Sequence, residues 1–432
     1  MCIVWLDNCL EVSKVKNQYQ KVASYEAEKG EVKKVVLLYS GGLDTSCMLK
    51  WLQDEYGVEV ITVTLDLGQQ GDDLEAIKQK ALKFGAIKAF VIDAKDEFAN
   101  EYISPLIKAN ASYQGDYHIS TVSRPLLAKW AVKIAKQEGA DAIVHGCTGK
   151  GNDQVRIEGT ALTLNPKIKI IAPVREWSLG RDEEIEYAKK HGIPVPASID
   201  FPYSVDDNMW GMTWEGGEIE NPNEIPQIKK FLTTYTLPEN APDEPEYVKL
   251  EFNKGIPVAL NGEKLQLADL IINLNKLAGK HGIGIVHHVE DRLVGLKVRG
   301  VYEMPAAHVI IEAHKNLEKY VCTRMENEIK SGLDIKWSYL CYGALWNEPL
   351  MEDINAFNDK INDKVTGTVT IKLFKGKVDV VAMESPFALY DSRLATFMKD
   401  YTFNQNASAG FTEIYTLQMK LANQIKKQGE SK

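Results

Sequence analysis

The chain contains no apolar run that could cross a bilayer, no CxxC pair and few cysteines. A membrane-spanning helix needs at least about 18 apolar residues, and the apolar stretch at the N-terminus is interrupted by Asp7, Asn8 and Glu11. A signal peptide is therefore not expected. The 6 cysteines have no metal-type spacing, so we expect free thiols in a cytoplasmic protein that does not contact membranes.

An excess of positive charge is also missing. The chain has 51 Lys plus Arg against 60 Asp plus Glu, which gives a net charge of −9. This balance disfavours a protein whose main task is to bind nucleic acid. A chain of 432 residues with 44% hydrophobic content is long enough for two or more domains, and small-molecule substrates are the expected partners.

A Walker-type phosphate loop is absent, but another phosphate-binding pattern is present. Residues 40–46 read SGGLDTS and follow the apolar run 35–38. Gly41 and Gly42 allow the backbone N–H groups to converge on an anion, and a helix beginning near Asp44 adds the positive end of its dipole. Because no lysine ends the turn, kinase and GTPase chemistry is disfavoured. We predict a site for a pyrophosphate and a reaction that transfers AMP.

A second polar, glycine-rich stretch covers residues 145–158, HGCTGKGNDQVRIE, after a predicted strand at 142–144. We interpret it as another flexible loop. Arg156 can bind a carboxylate through two N–H groups, and Asp153 can accept from an amine. The mixture favours an amino-acid substrate over the alternative, a solvated surface turn.

The order of elements predicts an α/β fold with a doubly wound parallel sheet, followed by a second α+β domain and a C-terminal helix. Strands are expected at 35–38, 58–65, 88–93, 142–144 and 168–174, with helices at 72–84 and from Pro125 to the residue before Gly139. Predicted hairpins pair 247–252 with 257–260 and 369–373 with 378–380, and helices are predicted at 267–278, 307–320 and 414–427. The domain bounds are 1–32 (appended segment), 33–198 (nucleotide-binding), 199–400 (synthetase and multimerisation) and 401–432 (oligomerisation helix).

The appended segment, residues 1–32, lacks the periodicity of the rest. A poorly ordered tail or an upstream start site is favoured for it over an edge strand. The helix at 414–427 has two open interpretations, docking on a neighbouring subunit or packing on its own domain.

Together, SGGLDTS and HGCTGKGNDQVR resemble the motifs of the argininosuccinate synthases, and the resemblance extends from about Lys33 to the C-terminus. It implies an ATP-dependent ligase of arginine biosynthesis. Such enzymes adenylate the ureido oxygen of citrulline with release of diphosphate, and aspartate then displaces AMP to give argininosuccinate. The resemblance also implies a homotetramer and Mg²⁺ as the partner of ATP.

The same resemblance implies three sets of binding residues. ATP would be held by Leu38, Tyr39, Ser40, Gly41, Gly42, Leu43, Asp44, Thr45, Ser46 and Gly146. Aspartate would be held by Thr121, Thr148, Asn152 and Asp153. Citrulline would be held by Tyr117, Asn152, Arg156, Ser204, Thr213, Glu290 and Tyr302. We expect Asp44, Asp153 and Arg156 to be catalytic, with Asp153 orienting the incoming amine.

The chain departs from the family pattern at several positions. Between Tyr117 and Arg124 one residue is missing, so Ser120, Thr121 and Ser123 all compete to supply the expected hydroxyl, and we choose Thr121. Near Glu290, Ile285 and His287 replace the usual Arg and Asp, KVRG stands at 297–300 for KSRG, and PAA stands at 305–307 for PGG. The neighbouring pair His287 and His288 would point to opposite faces of a strand, so we expect no metal site there.

Two other functions remain as alternatives. A tRNA thiouridylase of the same ATP class would use Cys147 as a nucleophile, but it also needs a basic surface for tRNA. A regulator that binds nucleotide without turnover would have no use for residues that bind citrulline and aspartate.

Overall fold

Alternating strands and helices form a parallel sheet of five strands. The computed structural model describes residues 19–71, 73–177, 181–195, 202–232, 235–396 and 403–430. The strands are β1 (Lys34–Leu38), β2 (Glu59–Asp66), β3 (Lys88–Asp93), β4 (Ala142–Val144) and β5 (Lys169–Ile171), in the spatial order β3-β2-β1-β4-β5. Neighbouring strands run parallel. The order reverses between β1 and β4, which is where sheets of this kind bind ligands.

Helices connect and follow these strands, and some of them pack on each face of the sheet. They are α1 (Leu43–Trp51, continued by a π-helical turn at Leu52–Tyr56), α2 (Leu74–Lys83), α3 (Lys95–Glu97), α4 (Ser104–Lys108), α5 (Ser123–Glu138), α6 (Asp153–Leu164), α7 (Pro173–Glu176) and α8 (Arg181–Lys190). In β1, Val35 and Leu37 share a buried cluster with Met48 of α1, whereas Val36 lies in another with Ala131 of α5. Burial on both faces explains the continuous apolar strands and confirms the predicted doubly wound sheet.

Two local predictions are wrong. The strand predicted at 168–174 ends at Ile171, because Pro173 begins α7, a position that proline favours. The stretch 145–158 is a loop only as far as Asn152, and α6 begins at Asp153. Asp153 and Arg156 therefore lie three residues apart on one helix face.

The rest of the chain adds two antiparallel sheets. Its strands are β6 (Tyr203–Asn208), β7 (Gly211–Gly216), β8 (Glu246–Asn253), β9 (Ile256–Leu260), β10 (Glu263–Lys264), β11 (Ile285–Asp291), β12 (Lys297–Glu303), β13 (Gly367–Phe374) and β14 (Lys377–Glu384). One sheet has the order β11-β12-β7-β6 and the other β10-β9-β8-β13-β14. The predicted hairpins, now β8–β9 and β13–β14, are confirmed.

Four long helices accompany these sheets: α9 (Leu267–Lys280), α10 (Pro305–Val321), α11 (Arg324–Tyr342) and α12 (Pro349–Asn362). The sequence predicted α9 and α10 but not α11 or α12. A readable start signal exists for α11, because Thr323 and Glu326 form a capping box in which each side chain accepts from the other residue's backbone N–H.

The end of the appended segment is part of the fold. Glu26 forms a parallel bridge with Ile170 of β5, and Ala27 is fully buried. A loose tail is therefore the wrong interpretation for this part, which extends the edge of the sheet. Residues 1–18 lie outside the described residues.

The contacts of the chain divide it into two units, up to Phe387 and from Ala388 onward. The second unit contains α13 (Ser392–Ala395), α14 (Ala407–Tyr415) and α15 (Leu417–Glu430). The single helix predicted at 414–427 is thus two helices that part at Thr416. None of the helices in the described ranges has the length and apolar character required to span a membrane.

Glu303, at the end of β12, is a carboxyl group removed from water. It is fully buried and accepts a hydrogen bond from Trp214 Nε1 at 2.6 Å. Within the part of the chain that is described, its Oε2 has no hydrogen-bond donor. Burial raises the pKa of Glu303 to about 7, because the charged form is disfavoured away from water.

We predict that Glu303→Gln changes how stability depends on pH. A carboxyl whose folded pKa is raised contributes stability fully below its unfolded pKa of about 4.3, and this contribution is lost as the pH rises through the folded pKa. Between pH 4.5 and 8 the wild-type free energy of unfolding should therefore fall relative to the variant by up to about 3 kcal/mol. Urea unfolding at several pH values measures this. A constant difference would contradict it, and the exposed Glu263→Gln is the control.

Candidate active site

The loop of residues 39–42 joins β1 to α1 at the carboxyl edge of the parallel sheet. Gly42 immediately precedes α1, and no side chain among the described residues caps the start of this helix. The start of a helix without such a cap suits an anion. The hydroxyls of Ser40 and Thr45 lie 3.2 Å apart at the same place.

Helix α2 supports this loop from behind. Gly41 has a φ of +78°, and a Cβ there would lie 2.7 Å from Ile77 Cγ1. Lys80 Nζ donates to the Gly41 carbonyl at 2.6 Å, and burial lowers the pKa of this lysine. A lysine therefore lies beside the loop, although none ends the turn as in a Walker motif. This lysine, Lys80, hydrogen-bonds to the loop backbone.

A cavity of about 520 Å³ opens in front of the loop. Of the residues predicted to bind ATP, its walls include Leu38, Tyr39, Ser40, Gly42 and Thr45. The end of β2 and the β6–β7 hairpin close its other sides.

The other predicted ATP residues are placed differently. Leu43 is buried in a cluster with Ile185 of α8, and Ser46 is buried with its hydroxyl donating to the Gly42 carbonyl at 2.7 Å. Gly146 lines a second cavity. Leu43 and Ser46 thus support the loop from inside the fold.

The second cavity, of about 430 Å³, adjoins the first and shares Ser40, Arg124, Val205 and Asp206 with it. Its walls bring together all the residues predicted to bind the two amino acids: Tyr117, Thr121, Thr148, Asn152, Asp153, Arg156, Ser204, Thr213, Glu290 and Tyr302. These residues come from α6 and the loop before it, both strands of β6–β7, the β11–β12 hairpin and the segment before α5.

The hydroxyl that the sequence left ambiguous has a clear position. Ser120 is fully buried and Ser123 faces the first cavity, whereas Thr121 lines the second. The Tyr117 hydroxyl lies 2.9 Å from Ser120 Oγ and 3.3 Å from Thr121 Oγ1. Of the three candidates, only Thr121 lines the cavity that contains the other residues predicted to bind aspartate.

Asp153 lies between two guanidinium groups. Arg124 Nε donates to its Oδ2 at 2.9 Å, and Arg156 Nη1 donates to its Oδ1 at 2.8 Å. Burial alone would raise the pKa of Asp153, but the two arginines outweigh it and hold the pKa far below its ordinary value. Asp153 is therefore an anion at neutral pH and is unsuited to accepting a proton.

Several charged residues of the site were not predicted. Arg124 also donates to Asp206 Oδ2 at 2.6 Å, and it lines both cavities. Arg292 donates to both carboxylate oxygens of Glu215 at 2.8 Å and to Glu290 Oε1 at 3.2 Å. The sequence gives only a weak signal for Arg124, which stands directly before the helix-opening Pro125.

Cys147 lines the second cavity, but its environment does not activate it. Burial raises the pKa of the Cys147 thiol far above its ordinary range. The thiolate is the nucleophilic form, so this cysteine is poorly suited to the chemistry of a thiouridylase.

The departures near Glu290 leave a regular hairpin. Strands β11 and β12 pair without a break from Ile285–Glu303 to Asp291–Lys297. His287 is exposed and His288 is buried. The replaced residues therefore change side chains on a hairpin whose backbone still delivers Glu290 and Tyr302 to the cavity.

We predict that Gly41→Ala weakens ATP binding at least about tenfold. A left-handed backbone conformation costs an alanine about 1–2 kcal/mol, each 1.4 kcal/mol corresponds to about a factor of ten, and the new methyl group would collide with Ile77. Titration calorimetry with ATP measures the loss.

The matched control for this prediction is Gly30→Ala. Gly30 has a φ of +85° but no atom within 4 Å of an added Cβ. This variant should carry the same backbone strain and bind ATP like the wild type. Equal effects of the two substitutions would contradict the account of the loop.

Known protein families match both parts of the chain. The family model for the argininosuccinate synthase N-terminal HUP domain matches residues 34–194. The model for the C-terminal domain of the same enzymes matches residues 203–422. The site described above draws residues from both regions.

Similar proteins cover nearly the whole chain. The argininosuccinate synthase of Pyrococcus furiosus is 52% identical over 390 residues, which are 90% of this chain and 94% of the relative. That of Geobacillus thermodenitrificans is 50% identical over 399 residues, 92% and 98% of the two chains. That of Symbiobacterium thermophilum is 49% identical over 396 residues, 91% and 98%. These matches do not favour the thiouridylase or the regulator, and the chain belongs to the argininosuccinate synthase family of ATP-dependent ligases.

Proposed function

We propose that the two adjoining cavities hold the three substrates of the ligase reaction in contact with one another. ATP, citrulline and aspartate are converted to argininosuccinate, AMP and diphosphate through a citrulline-adenylate. One observation carries the assignment of sites: the cavity at the phosphate loop and the cavity lined by the amino-acid residues share Ser40 and Arg124. A nucleotide in the first would thus present its α-phosphate to a substrate in the second.

In this proposal ATP lies along the loop of residues 39–46 with its β- and γ-phosphates at the start of α1. Mg²⁺ suits this arrangement because it prefers oxygen ligands, keeps several waters and is often held through phosphates with one or two carboxylates. The exposed Asp44 and the hydroxyls of Ser40 and Thr45 would supply the protein oxygens. Bound there, Mg²⁺ would neutralise charge on the diphosphate leaving group.

Citrulline would lie in the second cavity among Tyr117, Asn152, Arg156, Ser204, Thr213, Glu290 and Tyr302. Aspartate would lie nearer Thr121, Thr148, Asn152 and Asp153. No side chain has to attack a substrate, because converting the urea oxygen to an AMP ester splits one difficult step into two. The protein's contribution is alignment, which can be worth about 7–11 kcal/mol.

Asp153 has a restricted role in this scheme. Its charge is already shared by Arg124 and Arg156, so it orients the amine of aspartate by hydrogen bonding and does not deprotonate it. Arg156 belongs to the same ion network, and its ion pair with Asp153 fixes the guanidinium where citrulline would bind.

The test of the reaction uses all three substrates with oxygen-18 in the ureido group of citrulline. Diphosphate formation should require ATP and citrulline, release of AMP and argininosuccinate should also require aspartate, and the label should appear in AMP. Formation of ADP, or AMP without the label, would contradict the proposal.

The same assay separates the role of Asp153. Asp153→Asn should slow the step that consumes aspartate more than it slows diphosphate release, because only the second step needs the oriented amine. Rapid-quench measurement of diphosphate and argininosuccinate distinguishes the steps, and equal slowing of both would refute this role.

We also propose a homotetramer in which the C-terminal helices take part. In α14 and α15 the apolar residues Ile414, Leu417, Leu421 and Ile425 are 56–71% exposed, which is unusual for a surface that remains in water. Light scattering should give four times the chain mass, and deletion of residues 403–430 should lower it. A full-length monomer would contradict the proposal.

A cytoplasmic location completes the proposal. It is supported by the free thiols of Cys147, Cys322 and Cys341, which suit a reducing compartment. Cell fractionation tests it, and recovery with the secreted proteins would contradict it.

A further inference from the structure

Tyr342, the last residue of α11, reaches the candidate active site from outside both sequence motifs. It is 1% exposed, and its ring stacks on Tyr113 with centroids 3.5 Å apart and an interplanar angle of 4°. None of the predicted binding sets includes it. Tyr342 nevertheless contacts three of the residues that we assign to citrulline binding.

The first contact involves Arg156. Its Nε and Nη2 both donate to the Tyr342 carbonyl, at 3.1 and 3.0 Å, and its guanidinium carbon lies 4.6 Å from the centre of the Tyr342 ring. The Nε–Nη2 edge of Arg156 therefore binds this carbonyl. Nη1 binds Asp153, so the orientation of the guanidinium is fixed before a substrate arrives.

The second and third contacts use the hydroxyl. Asn152 Nδ2 donates to Tyr342 Oη at 2.8 Å, and Tyr342 Oη donates to Glu290 Oε2 at 2.9 Å. Asn152 Oδ1 meanwhile accepts from Leu293 N at 2.8 Å. Both Nδ2 and Oδ1 of Asn152 are thus hydrogen-bonded, and these two bonds fix the orientation of the amide at the cavity.

The direction of this chain of hydrogen bonds is also fixed. An amide N–H can only donate, and a carboxylate can only accept. Burial and the nearby Glu290 raise the pKa of Tyr342 far above its ordinary value. The hydroxyl therefore keeps its proton, accepts from Asn152 and donates to Glu290.

We propose that Tyr342 is the positioning residue for citrulline, because one side chain and its carbonyl orient Asn152, Arg156 and Glu290 together. This inference rests on the proposed function of the second cavity. Tyr342 acts through these three neighbours, and nucleotide binding at the phosphate loop does not depend on it.

Tyr342→Phe tests the proposal, because it removes the hydroxyl and retains the ring and the carbonyl. Hydrogen bonds to charged groups are worth about 1.5–3 kcal/mol, so the KM for citrulline should rise about 10- to 100-fold. The KM for ATP should stay within about twofold, since a factor of two is only about 0.4 kcal/mol. A variant with wild-type KM for citrulline, or with equal rises for citrulline and ATP, would overturn the proposal.

Tyr339→Phe is the matched control. Tyr339 lies one turn earlier on α11, is 48% exposed and packs on the same Tyr113. Its substitution should leave the KM values for citrulline and ATP unchanged. An equal rise in the KM for citrulline from this variant would attribute the effect to packing around Tyr113 and would also overturn the proposal.

A second comparison is used if Tyr342→Phe does not fold. The substitution removes a hydrogen-bond donor from the buried carboxylate of Glu290, which is the reason that folding could fail. Glu290→Gln removes that charge, and the double variant should have a higher KM for citrulline than Glu290→Gln alone, because Asn152 still loses its acceptor. Equal KM values would overturn the proposal. If the wild type itself does not require citrulline, the proposed function fails. If the wild type requires citrulline but the variants of Tyr342 keep its KM for citrulline, only the proposed role of Tyr342 fails.

Discussion

An ion network around the buried side chain of Arg124 determines how the site is assembled. Arg124 of α5 binds Asp153 of α6 and Asp206 of β6, and Asp153 also binds Arg156. Removing one partner from a buried pair leaves an uncompensated charge, which is strongly destabilising. Helices α5 and α6, which pack beside the parallel sheet, must therefore lie against strand β6 of the four-stranded antiparallel sheet. The place where the two cavities meet is a consequence of this docking, because Arg124 and Asp206 line both of them.

The features that the sequence predicted well are those in which neighbouring residues act together. The phosphate loop is one, because its chemistry lies in consecutive backbone N–H groups and in a glycine that needs a positive φ. The strands of the parallel sheet are another, since burial on both faces makes each an apolar run. The hairpins β8–β9 and β13–β14 likewise followed from short turns between alternating segments.

Contacts between distant residues were beyond the reach of local patterns. Arg124 and Asp206 are 82 positions apart, and Asn152 and Tyr342 are 190 apart. The start of α6 was hidden because the glycines before Asp153 suggested a longer loop. An edge strand was disfavoured for residues 1–32 because they lack periodicity, and the partner of Glu26, Ile170, follows much later in the chain. Resemblance to a family supplied the candidate binding residues, but it did not indicate what holds them in position.

The central claim is that the phosphate loop holds ATP with its α-phosphorus facing citrulline where the two cavities meet, beside Ser40 and Arg124. A crystal structure with a non-hydrolysable ATP analogue and citrulline tests it most directly. The account predicts the outer phosphates at the start of α1 and the ureido oxygen about 3–3.5 Å from the α-phosphorus, the distance of a near-attack geometry. A triphosphate bound away from residues 39–46, or citrulline outside the second cavity, would contradict it.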